Sequence, residues 1–133
     1  MTSQLQTVGQ PNIPEGYQTV MPYLILKDAE SFIEFMKTVF GAREKMRHLN
    51  DNKRIMHAEI AIGECTIMFA ESTEKYKSST GGFFIYVGSA DETWKKALQA
   101  GATSIDAPSD KEYGRSCGVT DPNGNTWWIT SPK

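Results

Sequence analysis

The segment His57-Ala58-Glu59 sets an imidazole and a carboxylate two residues apart, the spacing that brings both side chains to one face of a β-strand. Such a pair supports three kinds of chemistry. Glu59 can orient His57 as a general base, the two can be ligands of a metal ion, or they can close a half-buried polar network with Arg115 or Tyr113. A metal needs further donors. His48 is the other imidazole, but its segment fits a solvent-facing side chain. Cys117 has no base in its own segment RSCGVT, which argues against a nucleophilic thiolate, and Cys65 reads as a small core residue. Asp121-Pro122-Asn123-Gly124-Asn125 is turn chemistry, with Asp121 capping the loop. Lys95, Lys96 and the Glu74, Lys75, Lys77 cluster read as solvated faces, and no phosphate-cradling glycine pattern is present.

The elements that must position these residues follow from periodicity. Residues 1–16 are polar with Pro11 and Pro14 and read as a flexible arm, so the fold starts near Tyr17. A β-rich run from Thr19 to Lys27 ends at Asp28, a good N-cap, and AESFIEFMKTVF then puts Phe32, Met36 and Phe40 on one helical stripe closed by Gly41. Three strands follow, EKMRHL, RIMHAEIAI and CTIMFA, the last two joined at Gly63-Glu64. The polar stretch from Glu71 to Gly82 is a linker, after which the order repeats. FFIYV is a strand, Ser89 caps a helix that stops at Gly101, and TSIDAP, RSCGVT and TWWIT are strands. Phe40-Gly41-Ala42 and Ala100-Gly101-Ala102 mark the same point of two repeats. The reading is an α+β domain over 17–133 made of two βαβββ modules, about 17–75 and about 81–132.

Length and charge exclude several function classes. At 133 residues the chain has room for one such domain. A net charge of -2 without blocks of like charge speaks against nucleic acid as partner. The apolar runs are far below the roughly 20 residues that span a bilayer, and the first 16 residues lack the basic start and apolar stretch of a secretory signal. Two cysteines, without CxxC spacing, are too few for a disulfide framework, so the cytoplasm is the expected compartment.

Three segments, TVMPYLILKDAESFIEFMKTVFGA, RIMHAEIAIGECTIMFAE and YGRSCGVTDPNGNTWWI, resemble the vicinal oxygen chelate superfamily of glyoxalases, bleomycin-resistance proteins and extradiol dioxygenases, in particular its PhnB-like branch. The resemblance covers nearly everything from Ile13 onward. It implies that the two modules pair their sheets into a half-open cup with both helices outside, and that the chain forms a homodimer. It also implies four metal-ligand positions in the cup, which fall at Met21, Met68, Gly82 and Trp128, none of them His, Gln or Glu. The expectation is a cup with no metal and no other cofactor.

Strand alternation names what lines that cup instead. A two-residue turn between Ile62 and Cys65 sets Glu59 opposite Met68 and His57 opposite Ala70, on the cup side. Met56, Ala58, Ile60, Ile62, Cys65, Ile67 and Phe69 then face the helices as an apolar set. The same parity puts Met21, Tyr23 and Ile25 in the cup, with Phe84, Tyr86, Thr126, Trp128 and Thr130 from the second module. Val119, Cys117 and Arg115 are expected to join them across the last hairpin. A lining of Met21, Tyr23, Met68, Phe84, Tyr86, Arg115 and Trp128 suits a small, flat, apolar organic ligand. The functional expectation is therefore a small-molecule-binding protein. Two alternatives stand beside it: a lyase, isomerase or dioxygenase-like enzyme using His57 and Glu59, with or without a displaced metal, and a cup filled by its own side chains.

Overall fold

The computed structural model of the chain describes residues 11–133. The first module runs β1 (Tyr23–Leu26), α1 (Ala29–Phe40), β2 (Arg43–Leu49), β3 (Ile55–Ile62) and β4 (Cys65–Glu71). The second repeats it as β5 (Gly82–Tyr86), α2 (Ala90–Gln99), β6 (Thr103–Lys111), β7 (Gly114–Thr120) and β8 (Thr126–Pro132). The strand orders β1-β4-β3-β2 and β5-β8-β7-β6 are the same topology twice, two sheets that do not close into a barrel. In each, the strand before the helix lies parallel to the module's last strand, and the other pairings are antiparallel.

The helices form where the capping residues direct. The Asp28 side chain accepts from the Ser31 N–H at 3.1 Å, and Gly41 ends α1 in the left-handed region at φ 69°. Ser89 Oγ accepts from the Glu92 N–H at 3.2 Å at the start of α2. Phe32, Ile33, Phe35, Met36 and Val39 of α1 bury against Ala58, Ile60, Ile67 and Phe69 of the first sheet. Full burial of each large apolar side chain here stabilises the fold by about 1.5–3 kcal/mol.

Four elements differ from the sequence reading. β1 begins at Tyr23 rather than Thr19: Gln18 satisfies the Thr66 backbone with its side-chain amide, donating to the carbonyl at 3.0 Å, so the chain before Pro22 needs no strand pairing there. β6 does not stop at Pro108 but continues to Lys111, because it is an edge strand whose irregular register between Asp106 and Ser109 accommodates a residue without an N–H. The linker is tied down at Ser79, which exchanges backbone hydrogen bonds with Ile25. Of the expected arm, residues 1–10 lie outside the described residues. Its end is held to the sheet, since the Gly16 carbonyl accepts from both Lys45 Nζ and Thr66 Oγ1.

The modules meet through their helix sides. Trp127 is buried, stacks on Phe83 with ring centroids 4.5 Å apart and touches Phe40 of α1 at 4.9 Å. Beneath it Asp121 caps its loop as expected: one carboxylate oxygen accepts from the N–H groups of Asn123 and Asn125, the other from the Asn125 amide and the Trp127 indole at 2.9 Å. Asn125 then accepts from the Gly81 N–H, and Asn123 donates to the Asp28 carbonyl, so one buried acid anchors the junction. Because the contacts lie on the helix sides, the large rings on the helix-free sheet faces, Tyr23, Phe84, Tyr86 and Trp128, stay exposed in the single chain, while Glu59 and Thr130 on the same faces are buried.

Candidate functional site

On the open face of the first sheet, β3 and β4 pair Glu59 with Met68 and Ile62 with Cys65, as a two-residue turn requires. His57 and Glu59 are in contact, with His57 Nε2 2.8 Å from Glu59 Oε2. Two tyrosines complete the network: Tyr17 donates to Glu59 Oε1 at 2.5 Å, and the Tyr23 hydroxyl lies 3.0 Å from His57 Nδ1. Glu59 is buried at 5% exposure. Burial opposes its charge, but the hydrogen bonds from Tyr17 and His57 outweigh this and hold its carboxyl below the ordinary range. As a carboxylate it accepts only, so Nε2 carries a proton. In a neutral imidazole Nδ1 is then the lone-pair nitrogen, and the Tyr23 hydroxyl donates to it. Burial, and secondarily the charge on Glu59, raises the Tyr23 phenol above its usual pKa.

Arg115 and Tyr113 take no part in this network. Tyr113 lies beside Phe84 in the second module, with centroids 6.5 Å apart. Tyr17, the acid's true partner, precedes the first strand, where alternation says nothing about its direction. His48 is paired with His57 across β2 and β3, so it shares the open face, and it is exposed as expected.

One bulge changes the register of β3. His48 pairs with His57 but Leu49 pairs with Ile55, leaving Met56 without a partner. Ile55 therefore takes the core position and Met56, expected under the helix, turns out at 53% exposure. Cys65, also expected in the core, is exposed because β4 starts there beside the turn.

In the second module Phe84 pairs with Trp128 across parallel strands and Tyr86 with Thr130, so these share the open face. Phe84 and Tyr86 meet edge to face at 5.2 Å. The last hairpin corrects three expectations. Five residues separate Thr120 from its partner Thr126, an odd loop that pairs even numbers with even, so Trp128 lies opposite Gly118 while Cys117 and Val119 lie opposite Ile129 and Trp127. Cys117 and Val119 are thus buried core. Burial pushes the Cys117 thiol up to about 11, far from a thiolate at neutral pH. Arg115 has the same parity and binds Asp91 on α2 at 2.9 Å and Asp110 on β6, so it is no part of the ligand face. A Cβ on Gly118 would sit 2.5 Å from the Trp128 ring, which explains how the indole lies down against the sheet.

The hollows divide the expected lining. One of about 690 Å³ is walled by Tyr23, Ile25, Met56, Ala70 and Tyr76. Another, of about 420 Å³, takes Met21, Glu59 and Met68 with Tyr17 and the segment from Pro11 to Pro14. A third takes Phe84 and Tyr86 together with Pro22 and Cys65.

Residues 17–129 match the family model of the glyoxalase/bleomycin resistance protein/dioxygenase superfamily. The chain belongs to this superfamily. Among its relatives is an uncharacterized protein of Mycobacterium bovis, 30% identical over 123 residues, covering 84% of this chain and 81% of the relative. The fold is similar to that of TioX from Micromonospora sp. ML1 (24% identity, TM-score 0.70, 87% of this chain and 100% of that one). It is also similar to TnmS3, an antibiotic binding protein from Streptomyces sp. CB03234 (15% identity, TM-score 0.67, 88% and 100%).

The four positions to which the superfamily resemblance assigns a metal do not fit one here. Met21 and Met68 offer thioethers, Gly82 has no side chain and Trp128 has no lone pair to give, whereas a divalent ion of this kind takes imidazole or carboxylate. Among the described residues no three His, Cys, Asp or Glu side chains converge, and Glu59 already accepts from Tyr17 and His57.

Proposed function

We propose that this superfamily member is a small-molecule-binding protein that holds a flat, largely apolar organic ligand on its open sheet faces without a bound metal. The observation that carries the reading is the solvent exposure of aromatic side chains on the helix-free faces: Tyr23 at 49%, Phe84 at 52%, Tyr86 at 65% and Trp128 at 40%. Such a concentration of exposed rings marks a binding surface. Met21 and Met68 supply adaptable contacts beside them. Arg115, held by two aspartates, leaves the set of ligand contacts. A solved neighbour described as an antibiotic binding protein supports the class of function. The homodimer expected from the resemblance belongs to the same proposal, with a second copy covering part of these faces, as do the PhnB-like placement and the cytoplasmic compartment. No helix among the described residues is long and apolar enough to cross a membrane.

The test is a thermal-shift and tryptophan-fluorescence screen on wild type, Trp128→Ala and Trp127→Ala. Trp128→Ala should keep the fold and weaken a hit by about 1–3 kcal/mol, as loss of an anchor ring does. Trp127→Ala should instead cost about 3–5 kcal/mol of stability. A screen without hits, together with collapse of Trp128→Ala, would leave the ring as packing and the proposal without support. The donor set also predicts an unchanged melting temperature in excess chelator, checked beside elemental analysis of the purified chain.

A second reading rests on the hydrogen-bonded series Tyr23, His57, Glu59 and Tyr17, which would let Tyr23 exchange a proton with a bound substrate through a fixed imidazole. Turnover abolished by both His57→Ala and Tyr23→Phe would favour that enzyme.

A further inference from the structure

The hollow walled by Tyr23, Met56 and Tyr76 has a chemistry that the aromatic lining alone does not express. It lies between two turns at one end of the first sheet, and each turn carries a cation to its rim: Arg54 and Lys75, with Glu71 as the one acid among the lining residues. Glu71 is turned inward. Its Oε1 accepts from the Ile55 N–H at 2.9 Å and its Oε2 from the Ala29 N–H at 3.4 Å, so its charge serves the backbone of β3 and the start of α1. The Arg54 guanidinium stands off at 3.8 Å from that carboxylate and donates one bond, to the Ser72 carbonyl at 3.3 Å, of the five it can give. Lys75 Nζ lies 5.2 Å from the centre of the Tyr76 ring.

Both turns are locked by their own hydrogen bonds. Asn50 accepts on its side chain from the N–H groups of Asn52 and Arg54, while its own N–H donates to the Arg54 carbonyl. Thr73 and Tyr76 bond each other twice, Thr73 N–H to the Tyr76 carbonyl at 2.8 Å and Tyr76 N–H to the Thr73 hydroxyl at 2.9 Å. The cations and the Tyr76 ring therefore project from braced backbone, an arrangement that limits the ordering cost of binding. At the opposite wall stands the Tyr23 ring, its hydroxyl turned to His57 Nδ1 at 3.0 Å and so already engaged. The site is polarised: positive at Arg54 and Lys75, aromatic at Tyr23 and Tyr76, and apolar between them at Met56, Ile25 and Ala70.

We infer that this hollow is a binding site for a planar aromatic compound bearing an acidic group, with the anion at Arg54 and Lys75 and the ring between Tyr23, Met56 and Tyr76. The inference rests on the small-molecule-binding reading and names its ligand class. A volume of about 690 Å³ holds a ligand of several fused or linked rings.

Two fluorescent probes of one aromatic frame test it: 8-anilinonaphthalene-1-sulfonate, an anion, and N-phenyl-1-naphthylamine, which lacks the sulfonate. Each is titrated into the folded full-length chain, with the melting temperature of every variant recorded. The sulfonate should bind the wild type more tightly. Because both cations are solvent-exposed, Arg54→Gln and Lys75→Gln should each weaken it by about three- to fivefold and the double variant by about tenfold, with the neutral probe unchanged. Tyr76→Ala should weaken both probes. Lys77→Gln, a nearby cation outside the lining, should change neither. Equal affinity for the two probes, indifferent to Arg54 and Lys75, would overturn the anion preference and leave the aromatic binder standing. A loss with Lys77→Gln as large as with Arg54→Gln would reduce the effect to general surface charge and overturn the site. Binding of neither probe would overturn this inference, and it would sink the wider reading only if the thermal-shift screen were also empty.

Discussion

Glu59 decides most of what happens on the first open face. A buried carboxylate with two donors is stabilised as the anion, and its protonation in the folded state is pushed below the ordinary carboxyl value of 4.5. The linkage sign follows: the folded state gains stability from this ionised group above pH 4.5, and the gain is lost as pH falls through the lower folded value. Glu59→Gln should cost about 1–2 kcal/mol at neutral pH by removing a charge-assisted acceptor. Melting curves of both proteins from pH 7 to pH 3 should show the gap closing below pH 4.5; a constant gap would mean that the acid does not titrate in this way. The pair itself was legible in His57-Ala58-Glu59. Its tyrosine partners were not, because Tyr17 and Tyr23 lie 42 and 34 residues away in the chain from the atoms they bond.

At the scale of elements, alternation was a dependable guide wherever strand pairing is regular. Ile60 is fully buried and Glu59 faces the open side, as parity required. Parity failed at the bulge, where Met56 left the core. The two cases separate by substitution. Ile60→Asp should unfold the chain, burying an unpaired charge at a cost above about 4 kcal/mol, whereas Met56→Asp should change stability by less than about 1 kcal/mol. Urea unfolding of the two variants checks both, and a tolerated Ile60→Asp would put the whole strand one residue out of step. In the last hairpin the error came from loop length. Five residues between paired positions, rather than an even number, carried Cys117, Val119 and Arg115 to the helix side.

For the molecule as a whole, Asp121 braces the loop of the second module whose Asn123 and Trp127 reach Asp28 and Phe40 of the first. Removing its carboxylate leaves the Asn123 and Asn125 N–H groups, the Asn125 amide and the Trp127 indole without their acceptor in a buried site. Asp121→Ala should therefore destabilise by about 3 kcal/mol or more, and Asn123→Ala by less than half of that, because Asn123 is only partly buried. Differential scanning calorimetry should show whether the Asp121→Ala variant still melts in one transition; near-wild-type stability would remove the loop from its structural role. A motif-like segment rich in Asp and Asn thus serves architecture, on the side of the second sheet away from the exposed rings of Phe84 and Trp128.

The residue order by itself determined the repeat, both helices, the pairing of β3 with β4 and the apolar inner layer, since these depend on capping, turn length and a period of two or 3.6 residues, all local properties. It also determined the absence of usable metal donors at Met21, Met68, Gly82 and Trp128, which is a matter of residue type. Only the tertiary structure decided which side chains meet. Tyr17 closing on Glu59, Met56 turning outward, Arg115 drawn to Asp91, and Arg54 and Lys75 brought to one rim from two turns depend on distances set by packing between segments far apart in the chain. No local period encodes such a meeting. The grouping of Arg54 and Lys75 is the clearest case, because the sequence presents Lys75 as one member of a solvated cluster and the fold sets it beside an aromatic hollow.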